Sequence, residues 1–433
     1  MKKLTAVLVG AGNRGQIYAD YSINNKEELS VIAAVDPNPL RLKECGDKYG
    51  VPENMLFRDL KSFIAAKIPC DFVINATMDE EHYETATELI RAGYNMLLEK
   101  PVSAKFSEPY EIWKGAEARG LKLLVCHVLR YTPYYRTMKE IIDAGDIGEI
   151  VSMELNEHVW IGHFLDSYVR GKWRSEKECG SGFLLAKCCH DTDLICWLNN
   201  ASKPKKVSSF GTRSQFIKEK APAGATEFCY NCPHNVVCNY SAQKAHLECD
   251  LMPFQTWRGI NKPYQTITKE EKAEFLRRDV YGRCAYNAGG DIVDRQVVTT
   301  EFENGAIATL NMIGGCTLED RHTHIVGTKG EIIGKISEGK FTVWRFSREG
   351  KNFGGIPETI DVNSQIVSNA FYGGHAGGDY AIMHDCVRYF AGESCSPSVT
   401  KIEDSVYGHV LCYAAEESRL NERIVRISEY VKQ

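Results

Sequence analysis

The chain has 433 residues, 43% hydrophobic and 25% charged, with 16 cysteines and a formal net charge of −5. That length exceeds one ordinary core and predicts two domains, and the composition is that of a globular enzyme. The negative balance, with no long basic run, argues against a nucleic-acid or membrane-surface partner, and no apolar stretch reaches the length of a membrane span.

The start, Met1-Lys2-Lys3 and a short apolar run, imitates an export signal. That run breaks at Gly10 and is accounted for as a strand, so a cytoplasmic chain with reduced thiols is expected. The strand, residues 6–9, enters Gly10-Ala11-Gly12-Asn13-Arg14-Gly15, a Gly-x-Gly-x-x-Gly turn. Gly10 turns the chain tightly, Gly12 lets a diphosphate approach the backbone, and Gly15 lets the next helix pack close. Free N–H groups at that helix start then bind the diphosphate. A second strand, 30–35, ends in Asp36, 21 residues past Gly15. An acid there binds both ribose hydroxyls and repels a 2′-phosphate, which predicts NAD; Arg41 and Lys43, close behind, keep NADP as the second choice.

Further strands are expected at 72–76, 96–98 and 121–125, with helices at 82–92 and 108–118, an alternation that builds a parallel sheet covered on both faces. From about Ile150 the texture changes to a run of strands at 151–159, 207–211, 295–302, 306–312, 324–327 and 341–346. Glu303-Asn304-Gly305 is a hairpin signal, and the run suggests a mostly antiparallel open sheet. Such a face commonly meets a second copy, so a homo-oligomer is expected. Helices are expected over 183–198, 379–390 and 405–420, and residues 215–290 read as a polar insertion.

Glu99-Lys100-Pro101 lies at a strand's carboxyl end, on the cofactor side. A lysine there donates to a substrate oxygen and stabilises the alkoxide formed as hydride leaves. The bland alternative is a solvated loop lysine. Asn156, Glu157, His158, Trp160, His163, Tyr168, Arg170 and Trp173 supply aromatic and polar groups suited to a sugar. Positions 156, 158 and 160 share one sheet face. His375, in His375-Ala376-Gly377-Gly378-Asp379 at the start of a late helix, joins the same pocket, with Asp379 as a candidate helix cap.

The order Gly10-x-Gly12-x-x-Gly15, Asp36, Thr77-x-x-x-x-His82, Glu99-Lys100-Pro101 and His127-x-x-Arg130-Tyr131 resembles the Gfo/Idh/MocA family. Asp146-Ile147-Gly148, Trp173-Arg174, Gly180-Ser181-Gly182 leading to His190-Asp191, and Ile325-Val326-Gly327-Thr328-x-Gly330 agree. The resemblance implies an α/β chain: an N-terminal Rossmann domain (1–125) and a C-terminal α+β domain (126–433) whose open sheet covers the nicotinamide. It implies hydride transfer between NAD and a hydroxyl or carbonyl of a sugar, cyclitol or related polyol. Lys100 would be the lysine of the catalytic pair and His190 the histidine that takes the substrate proton. Asn13, Arg14, Thr77, His82 and Glu99 would join the cofactor set, and Arg130 and Tyr131 the substrate set.

The family's aspartate four residues before that histidine is replaced by Ala186. Lys187, on the helix face of His190, is the newcomer, expected to reach the substrate or to adjust the pKa of His190; Asp191 and Asp193 are candidates to orient its ring. Two other functions share these features: an NAD-using glycoside-cleaving enzyme, and a catalytically silent dinucleotide-binding regulator.

Within the insertion stand Cys229-x-x-Cys232 and Cys238, with Cys284 further on, and His234, His246 and Cys249 compete for the outer ligand places. A knuckle plus two further thiolates fits a closed structural zinc, which would order a segment with little apolar period of its own. The alternative is four reduced, unliganded thiols.

Overall fold

A computed structural model describes residues 2–347, 355–365 and 375–431. Strands β1 (Leu4–Val9), β2 (Leu29–Val35), β3 (Leu56–Phe57), β4 (Phe72–Asn75), β5 (Met96–Leu98) and β6 (Leu123–Val125) form a parallel sheet in the order β3-β2-β1-β4-β5-β6. Alternate residues of β1 and β4 feed two apolar cores, Ala6, Leu8 and Ile74 on one face and Val7, Val9 and Val73 on the other. The strand order reverses beside β1, and the crevice beyond those carboxyl ends is where doubly wound sheets take ligands. The two-residue β3 carries too little pattern to be read from sequence.

The second sheet comprises β7 (Ile150–Trp160), β8 (Pro204–Thr212), β9 (Arg295–Phe302), β10 (Ile307–Cys316), β11 (Asp320–Gly327), β12 (Gly330–Lys335), β13 (Lys340–Arg345), β14 (Ile356–Asp361) and β15 (Val425–Arg426). Their order is β14-β13-β12-β11-β7-β10-β9-β8-β15, and among the described residues only β7 and β10 pair in parallel. The sheet is therefore mixed and mostly antiparallel. Gly305, at φ +86°, closes the β9–β10 hairpin, its N–H donating to the Phe302 carbonyl at 3.1 Å.

Alternation decides what each face does. Met153, Leu155 and Val159 of β7 join the core under the helices Phe183–Leu198 and Ile402–Asn421, and Glu157 points the same way. Asn156, His158 and Trp160 lie on the opposite, open face. That face also exposes Val297, Ile307, Ile333 and Trp344.

The core of the first sheet also draws on a segment far beyond residue 125. The late helix Gly378–Ala391 buries Ile382, Met383, Cys386 and Val387 in the core of the first sheet, and Phe390 stacks on Phe72 at 4.6 Å. The insertion between β8 and β9 is not without a core either. Short turns and the helix Lys269–Leu276 gather Trp257, Phe275 and Leu276 into a cluster of their own. Among the described residues no helix is long and apolar enough to cross a membrane.

Candidate active site

β1 delivers the glycine turn to the crevice. Gly10 sits at φ +84°, and a Cβ there would stand 2.4 Å from the Ala76 carbonyl oxygen; one on Gly15 would stand 2.1 Å from that of Gly10. Both positions therefore require glycine. At Gly12 a Cβ would meet nothing within 4 Å, so the approach to the backbone is open where a diphosphate needs it. The helix Asn13–Ala19 begins there with no side-chain cap. Asp36, at the end of β2, is buried and accepts from the Ala11 N–H at 2.9 Å and the Asn38 N–H at 2.8 Å, with Arg41 at 3.5 Å. Thr77 lies in the loop beyond β4, its hydroxyl donating to Asn75 at 3.1 Å. These residues fit a dinucleotide.

Three expected cofactor contacts are turned inward. Arg14 reaches Glu99 at 2.9 Å and Asp379 at 2.7 Å. Glu99 also accepts from the Tyr18 hydroxyl at 2.8 Å and the Lys100 N–H at 2.5 Å. Burial pushes the Glu99 carboxyl up, but Arg14, Lys100 and the Tyr18 hydroxyl outweigh it and hold the group below the usual carboxylate range. His82 is buried, its Nδ1 2.6 Å from the Pro101 carbonyl and its Nε2 3.2 Å from that of Thr77. This triad of residues braces the loops that carry Thr77 and Lys100. Asp379, bonded to Arg14 and His375, is not the helix cap; Gly377 holds that place.

The Lys100–Pro101 peptide is cis, and Lys100 Nζ donates to the Ala186 carbonyl at 2.9 Å. The lysine is thus held at the turn of the Phe183–Leu198 helix where the family's aspartate would stand. One turn on, His190 is 8% exposed and its Nδ1 has no partner among the described residues. Burial, then the charges of Lys100, His127, Arg321 and His375, push its pKa well below the ordinary 6.5. The imidazole is neutral at physiological pH and free to take a proton. Behind it, His127 packs edge-on at 5.6 Å, touches Ser405 at 2.8 Å, and adjoins His409, which accepts from the Val102 N–H at 2.9 Å. His409 was not expected, since nothing local ties position 409 to 100 or 190.

Lys187 stands 3.2 Å from Glu157 and 3.1 Å from Glu319, and Arg321 lies 2.8 Å from both Glu157 and Asp191. Burial pushes the Glu157 carboxyl up while Arg321 and Lys187 oppose it. The two cations approach its oxygens at ion-pair distance without hydrogen-bond alignment. Lys100 and Arg321 are the cations that act most on His190, whereas Lys187 is held between Glu157 and Glu319. The flanking acids do not orient the ring: Asp191 is taken by Arg321, and Asp193 by Arg130. Lys187→Ala is expected to cost about 1–2 kcal/mol, less than stranding a buried charge would, because Glu157 keeps Arg321. It should leave the pH midpoint of the His190 step in place. A stability curve and a pH profile check it; a shifted midpoint would restore the direct role.

Residues 4–127 match an oxidoreductase family described as an NAD-binding Rossmann fold, and residues 139–427 match its C-terminal alpha/beta domain. The chain belongs to the Gfo/Idh/MocA family. It is an NAD-binding oxidoreductase. Its sequence is 23% identical over 370 residues to YteT of Bacillus subtilis (strain 168), covering 82% of this chain and 81% of YteT. Levoglucosan dehydrogenase, solved with NADH and L-sorbose, superposes with a TM-score of 0.71 at 18% identity, over 99% of each chain. WlbA dehydrogenase from Bordetella pertussis, solved with NADH and UDP-GlcNAcA, gives 0.66 at 16% identity, over 98% of each.

On this Gfo/Idh/MocA scaffold the expected substrate residues fall into two groups. His375, in electrostatic reach of His190 and 3.1 Å from Asp379, and His163, in reach of Lys100 and joined to Lys187 through Glu319, stand near the Lys100–His190 pair, while Trp173 donates to Asp79 at 2.8 Å. The others do not stand near it. Arg130 is 2% exposed and bidentate to buried Asp193, and Tyr131 is buried with its hydroxyl accepting from the Thr400 N–H at 3.2 Å. His158 lies on the open sheet face against His322, because alternation gives the inward place to Glu157.

The structure gathers Cys229, Cys232, Cys238 and Cys284 around one small cavity with Tyr240 and Tyr286. They do not form a ligand set. Cys229 Sγ faces the Arg283 carbonyl at 3.7 Å, and Cys238 Sγ accepts from the Tyr240 N–H at 3.4 Å. Among the described residues no group of three or more His, Cys, Asp or Glu side chains is arranged to hold a metal. The zinc expectation is therefore not supported, and the cluster Trp257–Phe275–Leu276 gives the insertion another source of order.

Proposed function

We propose that this oxidoreductase transfers hydride between NAD and a hydroxyl or carbonyl of a sugar, cyclitol or related polyol. The observation that carries the reading is the placing of Lys100 and neutral His190 together beyond the glycine turn. Bound nicotinamide supplies the hydride acceptor or donor. Lys100, released from the Ala186 carbonyl, donates to the reacting oxygen and stabilises charge as it develops there. His190 takes the hydroxyl proton, a task that its depressed pKa suits because the ring stays unprotonated. With Ala186 in place of an acid, the Lys100 ammonium is positioned by a backbone carbonyl instead of a carboxylate.

Lys187, His163, Trp173 and His375 are the residues proposed to meet the substrate. Support for a sugar comes from the two fold relatives solved with L-sorbose and UDP-GlcNAcA. The open sheet face, with Val297, Ile307, Ile333 and Trp344 exposed, is proposed to meet a second copy. Sixteen free cysteines support a reducing, cytoplasmic setting.

The test is NADH formation across a panel of free sugars, cyclitols and glycosides. Net NADH from a free sugar or polyol is expected. Glycoside cleavage without net NADH would indicate transient oxidation instead, and no turnover despite tight NADH binding would indicate a regulator.

For the cofactor, NADH is expected to bind more tightly than NADPH because of Asp36. Asp36→Ala should narrow the gap by roughly tenfold, the order of one screened like-charge contact. Titration calorimetry with both nucleotides checks it, and equal affinities in the unmutated protein would end the NAD preference.

A further inference from the structure

The insertion does not lie apart from the dinucleotide groove. Its turn Trp257–Ile260 is followed by Asn261, whose side-chain oxygen accepts from Asn38 Nδ2 at 3.3 Å, and Asn38 is itself bonded to Asp36. Trp257 anchors this turn, buried against Phe275 and donating to Asp250 at 2.8 Å. Arg258 is exposed beside it, its Nε spent on the Phe254 carbonyl at 2.7 Å. The guanidinium lies within electrostatic reach of Arg41 and Asp36 at one end of the groove and of Lys172 at the other. Lys172 sits 3.7 Å over the Trp173 ring and 3.7 Å from the Met78 sulfur, in the loop beyond β4.

Neither cation belongs to an ion pair among the described residues, and the nearest acids are already committed. Asp36 serves the Ala11 and Asn38 N–H groups, and Asp79 serves the Trp173 indole at 2.8 Å and the Ser181 hydroxyl at 3.1 Å. Two like charges held near each other with free donors are unfavourable unless an anion comes between them. Asp36, which Arg258 reaches, is bonded to the Ala11 N–H next to Gly12, where the backbone is open for a diphosphate.

We infer that the insertion forms the roof of the dinucleotide groove, with Arg258 and Lys172 receiving the cofactor's diphosphate opposite the glycine turn. The inference rests on dinucleotide binding alone, so a failed search for a sugar substrate leaves it standing. It makes the insertion a clamp on the cofactor, closing over the ligand from the C-terminal domain.

The test is calorimetric titration of the full chain with NADH and NADPH in Arg258→Gln and, separately, Lys172→Gln. Each variant should lose roughly tenfold in affinity for both nucleotides, the order of one charge-assisted phosphate contact, and a smaller salt dependence should accompany the loss. Trypsin should cut after exposed Arg258 in the free protein and be blocked by saturating NADH. Unchanged NADH affinity in both variants, or cleavage that NADH does not slow, would overturn the inference. A loss confined to NADPH would overturn it too, since Arg258 would then read a 2′-phosphate.

Discussion

Lys100→Met is expected to lower kcat by about 10²–10³-fold, the order found when one donor to a developing oxyanion is removed, while NADH still binds. The ammonium is the charge that acts most on His190, and the Lys100 N–H stays bonded to Glu99 in the variant. His190→Ala should act likewise, with activity partly recovered at high pH as solvent takes the proton. In the oxidative direction kcat/KM should hold flat down through pH 6.5 and fall only below it, because the neutral ring is the working form and its folded pKa is depressed. In Lys100→Met the residual activity should lose its acid limb at higher pH, since one charge opposing protonation is gone. Steady-state profiles decide this. Wild-type turnover in either variant, or an acid limb above the ordinary histidine value, would place catalysis elsewhere.

Asp193→Ala should destabilise the fold by about 3–5 kcal/mol, the range for leaving one member of a buried ion pair alone. Arg130 Nε and Nη2 meet the two Asp193 oxygens at 2.7 and 2.6 Å, and both residues are buried. They tie the segment after β6 to the Phe183–Leu198 helix, and so hold the Lys100 side of the site to the His190 side. A denaturant midpoint measured with and without NADH should fall in both cases. The double replacement Arg130→Leu with Asp193→Leu should recover much of the loss, because no uncompensated charge remains. A single variant as stable as the parent would mean that Arg130 finds another partner or water.

Some features were settled by local chemistry and were therefore legible in the chain itself. The glycine turn, the acid at the end of β2, the strands at Met96–Leu98 and Arg295–Phe302 and the helix Phe183–Leu198 each depend on neighbours within a few residues or on a regular apolar period. The family order of motifs located Lys100 and His190 for the same reason. What sequence could not supply was the partner of each charge. Arg14, Glu99 and His82 read as cofactor contacts because they stand near the turn in sequence, yet folding brings Asp379, Tyr18 and the Pro101 carbonyl to them first. Arg130 read as a substrate ligand until helix packing set Asp193 against it, 63 residues away. The β7 alternation was visible, but only the packing of helices on one face decided that Glu157, and not His158, looks toward Lys187. The four cysteines were placed round one cavity, as their spacing suggested, but the direction of each sulfur was set by nearby backbone groups. Periodicity and turn chemistry are properties of short segments. Charge pairing, sheet facing and the reach of the insertion over the cofactor groove are properties of distances through space, and those exist only once the chain has packed.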